Sequence, residues 1–149
     1  MLISDKVTDF IAIEEYIRYD KIEVHNVNIH RKRYFMTTFK SITFEDRDIL
    51  EKYLNMAKHR ACDYSIGNLI LWQKTYETSY IVVENFLIIK FSHGKDVYFS
   101  YPIGQGNTKP AIDWIMDYCK EANVDFTMNI VEPDMFEEME KLYPGEFEI

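Results

Sequence analysis

The hydrophobic period of this chain changes near Thr78, and that change limits the possible folds more than any other feature. Upstream, apolar residues recur about every 3.6 positions, as on one face of a helix, whereas downstream they alternate with a period of about 2. Three runs rich in β-branched and aromatic residues follow, at residues 80–83, 86–91 and 97–103. Connections as short as those between the runs join antiparallel strands. The sequence therefore predicts a three-stranded antiparallel meander.

Helical patterns precede the meander. Thr43, followed three residues later by Asp46, has the spacing of a capping box and predicts the start of a helix. Ser65 is the expected cap of a further short helix that extends to Tyr76, and a buried strand is the alternative for so apolar a run. Both helices carry apolar residues at helical spacing, so each is expected to bury one face.

Helix and strand patterns alternate after the meander. Pro102 lacks an amide donor and is expected to end the third strand. A helix with Pro110 in its first turn comes next, then a strand over residues 125–130, an acidic helix that ends at Pro144, and the start of a strand at residues 146–149. This order predicts an α/β (α+β) fold in which helices pack on a mixed sheet.

Composition narrows the class of protein. The chain has 149 residues, 47% of them hydrophobic, which is enough for one domain with a core. Its net charge of −8 makes free nucleic acid a poor partner, because affinity for phosphates comes mainly from Lys and Arg. The longest apolar runs fall far short of the ~20 residues that cross a bilayer, and the charged N-terminus does not resemble a signal peptide. We therefore expect a cytoplasmic protein without a transmembrane segment.

The negative charge is concentrated near the C-terminus. Residues 125–149 carry one basic and eight acidic side chains. Because apolar residues recur among them at helical spacing, they predict a folded helix rather than a disordered tail. Two interpretations stay open: the acids line a solvated helix face, or they form an electronegative patch that docks on a basic protein.

A glycine-rich connection between the third strand and the following helix is the best local candidate for a binding site. Backbone amides exposed at such a turn favour a phosphate, and a lysine can add positive charge. The motif is neither a P-loop nor a complete GxGxxG pattern, and a tight strand-to-helix connection would also explain it. Its residues are Gly104, Gln105, Gly106, Asn107, Thr108 and Lys109.

The histidines and cysteines do not form a recognisable metal site or nucleophile. Cys62 and Cys119 have no base nearby in sequence, so we expect buried thiols rather than catalytic groups. The histidines are too scattered for metal-ligand spacing. They are His25, His30, His59 and His93.

Several short motifs of apolar and turn residues are found from about residue 39 onward. They are Phe-Lys-Ser-Ile-Thr-Phe-Glu-Asp at 39–46, Asp-Tyr-Ser at 63–65, Asn-Leu at 68–69 with Trp72, Phe-Leu-Ile-Ile at 86–89, Tyr-Pro-Ile-Gly at 101–104 and Leu-Tyr-Pro-Gly-Glu-Phe at 142–147. In these motifs the chain resembles the N-terminal half of the phosphatidylglycerol lysyltransferase C-terminal-domain family. The resemblance implies a fold of the GNAT acyltransferase kind, usually present as two domains in tandem. Residues 36–149 would then be one GNAT-like half-domain, and residues 1–35 an N-terminal extension with one helix and one strand.

The resemblance leaves two functions open. In GNAT enzymes the pyrophosphate of an acyl carrier lies on the strand-to-helix loop, so residues 104–109 would hold the donor. We expect instead a non-catalytic GNAT-like interaction module without a cofactor, which binds a basic protein through its acidic helix or self-associates. The reason is that the family would continue into a second half, and no acid, base or nucleophile stands out in this one. The alternative is an acyl- or aminoacyl-transferase domain that uses an acyl-CoA or an aminoacyl-tRNA.

Overall fold

The computed structural model describes residues 38–58 and 62–148. The helix and strand expected within residues 1–35 lie outside these ranges, so the division between residues 35 and 36 stays a prediction. The described residues form a mixed α+β fold, with one six-stranded sheet packed by helices. This confirms the predicted fold class.

The centre of the sheet is the predicted meander. Strands β2 (Ser79–Val83), β3 (Phe86–His93) and β4 (Asp96–Ser100) pair antiparallel in sequence order. The first turn consists of Glu84 and Asn85, whose φ angles of 50° and 65° are those of a type I′ hairpin. The change of period near Thr78 therefore marks the start of the meander.

Three short strands complete the sheet. Strand β1 (Lys40–Ser41) pairs antiparallel with β2, β5 (Ile103–Gly104) pairs antiparallel with β3, and β6 (Met128–Asn129) pairs parallel with β4. Strand β1 was not predicted, because two residues are too few to show an alternating pattern. The strand predicted at residues 125–130 exists as β6 but is shorter than expected.

The predicted strand at residues 97–103 is two strands separated by a β-bulge. Phe99 pairs with Lys90 of β3, and Ile103 pairs with Leu87. Three residues lie between Phe99 and Ile103, whereas only two lie between Leu87 and Lys90, so this segment has one extra residue. The Ser100 hydroxyl accepts a hydrogen bond of 2.9 Å from the Ile89 amide, which compensates for the interrupted ladder. Pro102 follows in the gap, where its missing amide donor is tolerated. The bulge lets one side of β3 pair with both β4 and β5.

Residues 38–58 and 62–148 also form five α-helices. The helix expected after Thr43 begins with a 3-10 turn, Phe44–Asp46, and the helix expected from Ser65 breaks into two at Trp72. The Ser65 side chain accepts a hydrogen bond from the Asn68 amide, as expected of an N-cap. The helices are α1 (Arg47–Leu54), α2 (Ile66–Leu71), α3 (Gln73–Tyr76), α4 (Lys109–Ala122) and α5 (Pro133–Leu142).

The prediction of a strand that starts at residue 146 is wrong. Residues 146–148 have no strand conformation. The Phe147 ring instead packs 5.1 Å from the ring of Phe126 and 5.6 Å from that of Tyr143, measured between centroids. Burial of this aromatic side chain against α4 and α5 holds the segment away from the sheet.

The core of the described residues includes two clusters that join different helices and strands. In one cluster, Leu87 and Ile89 of β3 pack with Leu50 of α1 and Leu69 of α2. A second cluster joins α4 to α5 and the segment after β4, and contains Tyr101, Ile112, Met139 and Tyr143. This second cluster places the start of α4 against α5.

A buried carboxylate connects β1, the turn before α1, and β2. Asp46 is 4% exposed and accepts hydrogen bonds from the backbone amide and the hydroxyl of Thr43, both at 2.9 Å, and from the Tyr80 hydroxyl at 2.9 Å. The Lys40 ammonium forms an ion pair with the same carboxylate. Burial raises the pKa of Asp46, but the hydrogen bonds from Lys40, Thr43 and Tyr80 outweigh it and lower the pKa from its ordinary 3.8 to about 2.

We expect Asp46→Asn to lower the free energy of unfolding by about 2–3 kcal/mol at pH 7, because the buried Tyr80 hydroxyl, Thr43 and Lys40 all lose a charged acceptor. A carboxyl group with a lowered folded-state pKa stabilises the protein above its unfolded-state pKa. The difference between wild type and variant should therefore be constant at neutral pH and shrink as the pH falls from about 4 to about 2.

Urea denaturation across this pH range measures the effect. Glu51→Gln is the matched control, since Glu51 forms a 2.8 Å ion pair with Arg47 on the exposed face of α1. It should change stability little at any pH. Equal losses in the two variants would contradict the role assigned to Asp46.

Candidate functional site

The predicted site residues, 104–109, connect β5 to α4, and both glycines have a conformational reason to be there. A Cβ on Gly104 would lie 2.6 Å from the Asn85 carbonyl oxygen and 2.8 Å from Phe86 Cδ1. Gly106 has a φ of 115°, which L side chains rarely adopt. The glycines thus allow a close approach to the β2–β3 turn and a sharp change of direction before α4.

The amides in the first turn of α4 are engaged within the protein. The Lys109 amide donates to Asn107 Oδ1 at 3.1 Å, and Pro110 has no amide hydrogen. The next two amides both donate to the Thr108 carbonyl oxygen, at 3.0 Å each. An anion at this helix terminus would therefore compete with existing hydrogen bonds.

The positive charge of Lys109 is neutralised locally. Its Nζ lies 2.9 Å from both carboxylate oxygens of Asp113, one turn further along α4. The same Nζ lies 4.8 Å from the centroid of the Tyr143 ring, and the Tyr143 hydroxyl donates to Asp113 Oδ1 at 2.7 Å. Burial, with a further contribution from Asp113, raises the pKa of Tyr143. The three side chains link the start of α4 to the end of α5.

A second acidic side chain lies at the same helix terminus. Glu138 of α5 accepts a hydrogen bond of 2.6 Å from the Thr108 hydroxyl. Its negative charge is favourable beside the N-terminus of α4, where the helix dipole is positive. A phosphate would need the same position and would be repelled by this carboxylate.

Two buried tyrosine hydroxyls lie near the ends of the parallel strands β4 and β6. Tyr101 follows β4 directly, and Tyr64 packs in the cluster that Ile130, the residue after β6, also contacts. The Tyr64 hydroxyl, on a side chain that is 7% exposed, has no hydrogen-bond partner among the described residues. The Tyr101 hydroxyl, on a side chain that is 5% exposed, makes no hydrogen bond of good geometry there, but Thr108 and Glu138 lie close enough to affect its pKa. Burial raises the pKa of Tyr101 to about 12, and burial together with Asp63 and Glu132 raises the pKa of Tyr64. Neither residue could be recognised as a polar site from the sequence, because the hydrogen bonding of a hydroxyl depends on tertiary contacts.

A groove of about 200 Å³ borders the loop on its α1 side. Lys52, Tyr53 and Met56 come from α1 and the turn that follows it, Asn85 from the β2–β3 turn, and Gln105 from the predicted site. The described residues therefore place Gln105 beside the groove, and Thr108 and Lys109 in contact with α5. Whether the six predicted residues bind a ligand stays a prediction.

The predictions for the cysteines and the histidines had different outcomes. Cys119 is buried, as predicted, and burial with Asp125 nearby raises its pKa to about 11. The prediction for Cys62 is wrong, because this thiol is exposed in a 3-10 turn. His93 Nδ1 lies 3.2 Å from the Thr75 carbonyl oxygen, and the other three histidines lie outside the described residues. Within residues 38–58 and 62–148, no cluster of three or more His, Cys, Asp or Glu side chains is placed to hold a metal.

An exposed apolar surface lies on α2 and α3. Leu71 is 71% exposed, Trp72 48% and Tyr76 41%. We refer to these three residues as the α2–α3 apolar surface. A signal for it exists in the sequence, since residues 69–72 are four consecutive apolar residues, and a helix cannot direct all four towards one core.

The fold and these sites define a mixed α+β domain, and comparison with known proteins assigns its family. The family model described as "Phosphatidylglycerol lysyltransferase, C-terminal" matches residues 54–149, and the chain belongs to that family. It is also similar to a solved structure titled as a conserved protein of unknown function from Bacteroides thetaiotaomicron VPI-5482. The two share 30% sequence identity with a TM-score of 0.71, and the match covers 74% of this chain.

The match extends over only 37% of that solved chain. No curated protein matches the sequence. In the part of the chain that the structure describes, every helix is too short or too polar to span a bilayer.

Gly104→Ala should destabilise the protein by about 1–3 kcal/mol, because the added methyl group meets a backbone oxygen that cannot move without disturbing the β2–β3 turn. Gly67→Ala in α2 is the matched control. A Cβ there meets no atom of the described chain within 4 Å, so the substitution should be neutral or stabilising, by up to ~1 kcal/mol. Thermal denaturation of both variants at low protein concentration tests this difference. Equal stability of the two variants would show that the close approach at Gly104 is unimportant.

Proposed function

We propose that this chain is a non-catalytic interaction module built on a GNAT-like half-domain. The observation that carries the proposal is the internal neutralisation of the predicted donor-binding loop. Lys109 is paired with both oxygens of Asp113, and the Thr108 hydroxyl is bonded to Glu138.

The charges at this loop disfavour an acyl carrier with a pyrophosphate. Such a ligand would have to displace Asp113 from Lys109 and tolerate the carboxylate of Glu138. Because Lys109 and Asp113 are each nearly half exposed, solvent screens these charges, and the repulsion offsets only part of the hydrogen bonding that a phosphate would gain. The geometry thus favours a loop that stabilises the contact between α4 and α5.

The comparisons leave the role of this chain open, and they relate it to part of a longer protein. The family description refers to a lysyltransferase, and the chain spans 37% of the length of the solved relative. We infer that this chain corresponds to one half of a two-domain arrangement. In that arrangement it would contribute binding surface rather than the reacting groups.

The acidic helix α5 is a weaker docking surface than its composition suggests. Glu138 is bonded to Thr108, and Glu140 accepts a hydrogen bond of 2.8 Å from the Gly145 amide. These acids stabilise the monomer. Docking of a basic protein on α5 and self-association therefore both stay predictions.

A second candidate is an acyl- or aminoacyl-transferase domain. The buried hydroxyl of Tyr64, which has no partner among the described residues, and that of Tyr101, which follows β4, favour it, since a buried donor could bond an acyl carbonyl oxygen. The donor would be an acyl-CoA or an aminoacyl-tRNA. In this case Gln105 and the loop amides would contact the carrier.

Ligand binding separates the two candidates. We expect neither coenzyme A nor an aminoacyl-tRNA to change the melting temperature of the wild-type chain. A true ligand at a hundred times its Kd stabilises by about 2.7 kcal/mol, which would raise Tm by several degrees. Asp113→Asn removes the carboxylate charge that pairs with Lys109. We expect this variant, unlike the wild type, to bind pyrophosphate or coenzyme A weakly.

Two further variants complete the test. If the wild type binds coenzyme A, and Tyr101→Phe or Tyr64→Phe weakens binding at unchanged fold, the transferase candidate replaces the module. If Asp113→Asn gains no affinity for anions, the pairing of Lys109 with Asp113 is not what prevents anion binding at residues 104–109. The proposed module then loses its main support.

A further inference from the structure

We propose that the groove beside residues 104–109 binds the C-terminal carboxylate of a polypeptide chain through Lys52, Asn85 and Gln105. The inference rests on the proposed interaction module and names the chemical class of its partner. Three features of the groove support it: polar side chains that converge on one space, an ammonium group without an acidic partner in the described chain, and an apolar wall beside both.

Polar side chains from three separate segments line the groove. Lys52 comes from the last turn of α1, Asn85 from the β2–β3 turn and Gln105 from the loop before α4. Within residues 38–58 and 62–148, the side-chain amides of Asn85 and Gln105 form no hydrogen bond, and the Lys52 ammonium forms no ion pair. Polar groups that converge on a concave space without serving the protein's own packing are typical of a binding site.

Strand pairing and turn geometry keep the two amides next to each other. Gly104 pairs with Phe86 and lies so close to the β2–β3 turn that a Cβ would be 2.6 Å from the Asn85 carbonyl oxygen. Gln105 is the next residue, so it also lies beside this turn. Asn85 has a φ of 65°, as expected in a type I′ hairpin. The backbone at both positions is therefore fixed before a ligand binds.

Lys52 provides a positive charge that its neighbours on α1 do not neutralise. Arg47, on the same helix, pairs with Glu51 at 2.8 Å. Asp48 precedes Lys52 by one helical turn, a spacing that suits an ion pair. The Lys52 ammonium instead lies over the Tyr53 ring, 5.4 Å from its centroid, and Tyr53 also lines the groove. The free ammonium is therefore on the groove side of the helix.

A carboxylate next to a peptide group matches these donors and acceptors. The ammonium and the two amide N–H groups can donate to the carboxylate oxygens. A side-chain amide oxygen can accept a hydrogen bond from the peptide N–H that precedes the carboxylate. A phosphate with two negative charges is a poorer match, because one ammonium faces the groove and the whole chain has a net charge of −8.

Tyr53 and Met56 form the apolar part of the groove. A methionine side chain adapts to different apolar partners, so this wall suits an aliphatic last residue. The volume of about 200 Å³ is below the ~300–1,000 Å³ of sites for drug-sized ligands, which limits the ligand to the end of a chain. For so small a contact we expect a Kd of about 1–10 mM.

Titration of N-acetyl-leucine into the full chain, followed by heteronuclear NMR, tests the inference. We expect the side-chain amide signals of Asn85 and Gln105 to shift. N-acetyl-leucinamide has the same size but no charge, and it should bind about threefold to fivefold more weakly, as expected for loss of an exposed ion pair. Acetate should also bind more weakly than N-acetyl-leucine, because it has neither the peptide group nor the side chain.

Two variants assign the contacts. Lys52→Gln should weaken binding of N-acetyl-leucine by about threefold to fivefold, and its matched control is Lys74→Gln, since Lys74 is an exposed lysine of α3 outside the groove. Asn85→Gly removes one amide but keeps the turn, because glycine readily adopts a φ of 65°. It should weaken binding as well. Circular dichroism checks that each variant is folded.

The absence of amide shifts at Asn85 and Gln105 up to about 20 mM N-acetyl-leucine would overturn the inference. Equal affinities for N-acetyl-leucine and its amide would do the same, as would equal effects of Lys52→Gln and Lys74→Gln. Acetate that binds as tightly as N-acetyl-leucine would indicate a site for free carboxylates and overturn the assignment to a chain end.

These outcomes are separate from those of the proposed function. Binding of coenzyme A to the wild type would overturn the module, whatever the titration with N-acetyl-leucine gives. A groove that does not bind N-acetyl-leucine would remove this partner and leave the result with coenzyme A unchanged.

Discussion

Strand β3 holds the domain together because it pairs with three neighbours, and it can do so only because of the bulge after β4. One side of β3 pairs with β2, and the other pairs first with β4 and then with β5. The extra residue at the bulge, the Ser100–Ile89 hydrogen bond and Pro102 together redirect the chain. The position of β5 then determines where the loop ends and α4 begins. A continuous third strand would place α4, and with it α5, elsewhere.

The side chains around the start of α4 act mainly between helices. Lys109, Asp113 and Tyr143 connect α4 to the end of α5, and Thr108 bonds to Glu138. A glycine-rich strand-to-helix loop suits a phosphate only when its amides and lysine are free. Here the same local sequence serves tertiary packing, and this is why family membership alone does not establish a reaction.

Much of the fold could be predicted from local patterns, whereas the candidate site could not. The meander follows from the period of residues 80–103 and its short turns, and the Ser65 cap and Pro110 mark helix starts. The prediction of a strand at residue 146 was wrong, because a short C-terminal segment with apolar residues has the same sequence pattern whether it joins a sheet or packs an aromatic ring against helices. The exposure of Cys62 was also missed, since burial of one thiol depends on how neighbouring elements pack.

The sequence by itself determined which segments form strands and helices, because period, turns and caps act over a few residues. Only the tertiary structure decided which charges are neutralised and which apolar side chains face solvent. Thr108 and Glu138, for example, are 30 residues apart, and no local rule pairs them. Leu71 and Leu69 are two positions apart in one apolar run, yet one is exposed and the other buried, because a helix turns by about 100° per residue and only one face meets the core.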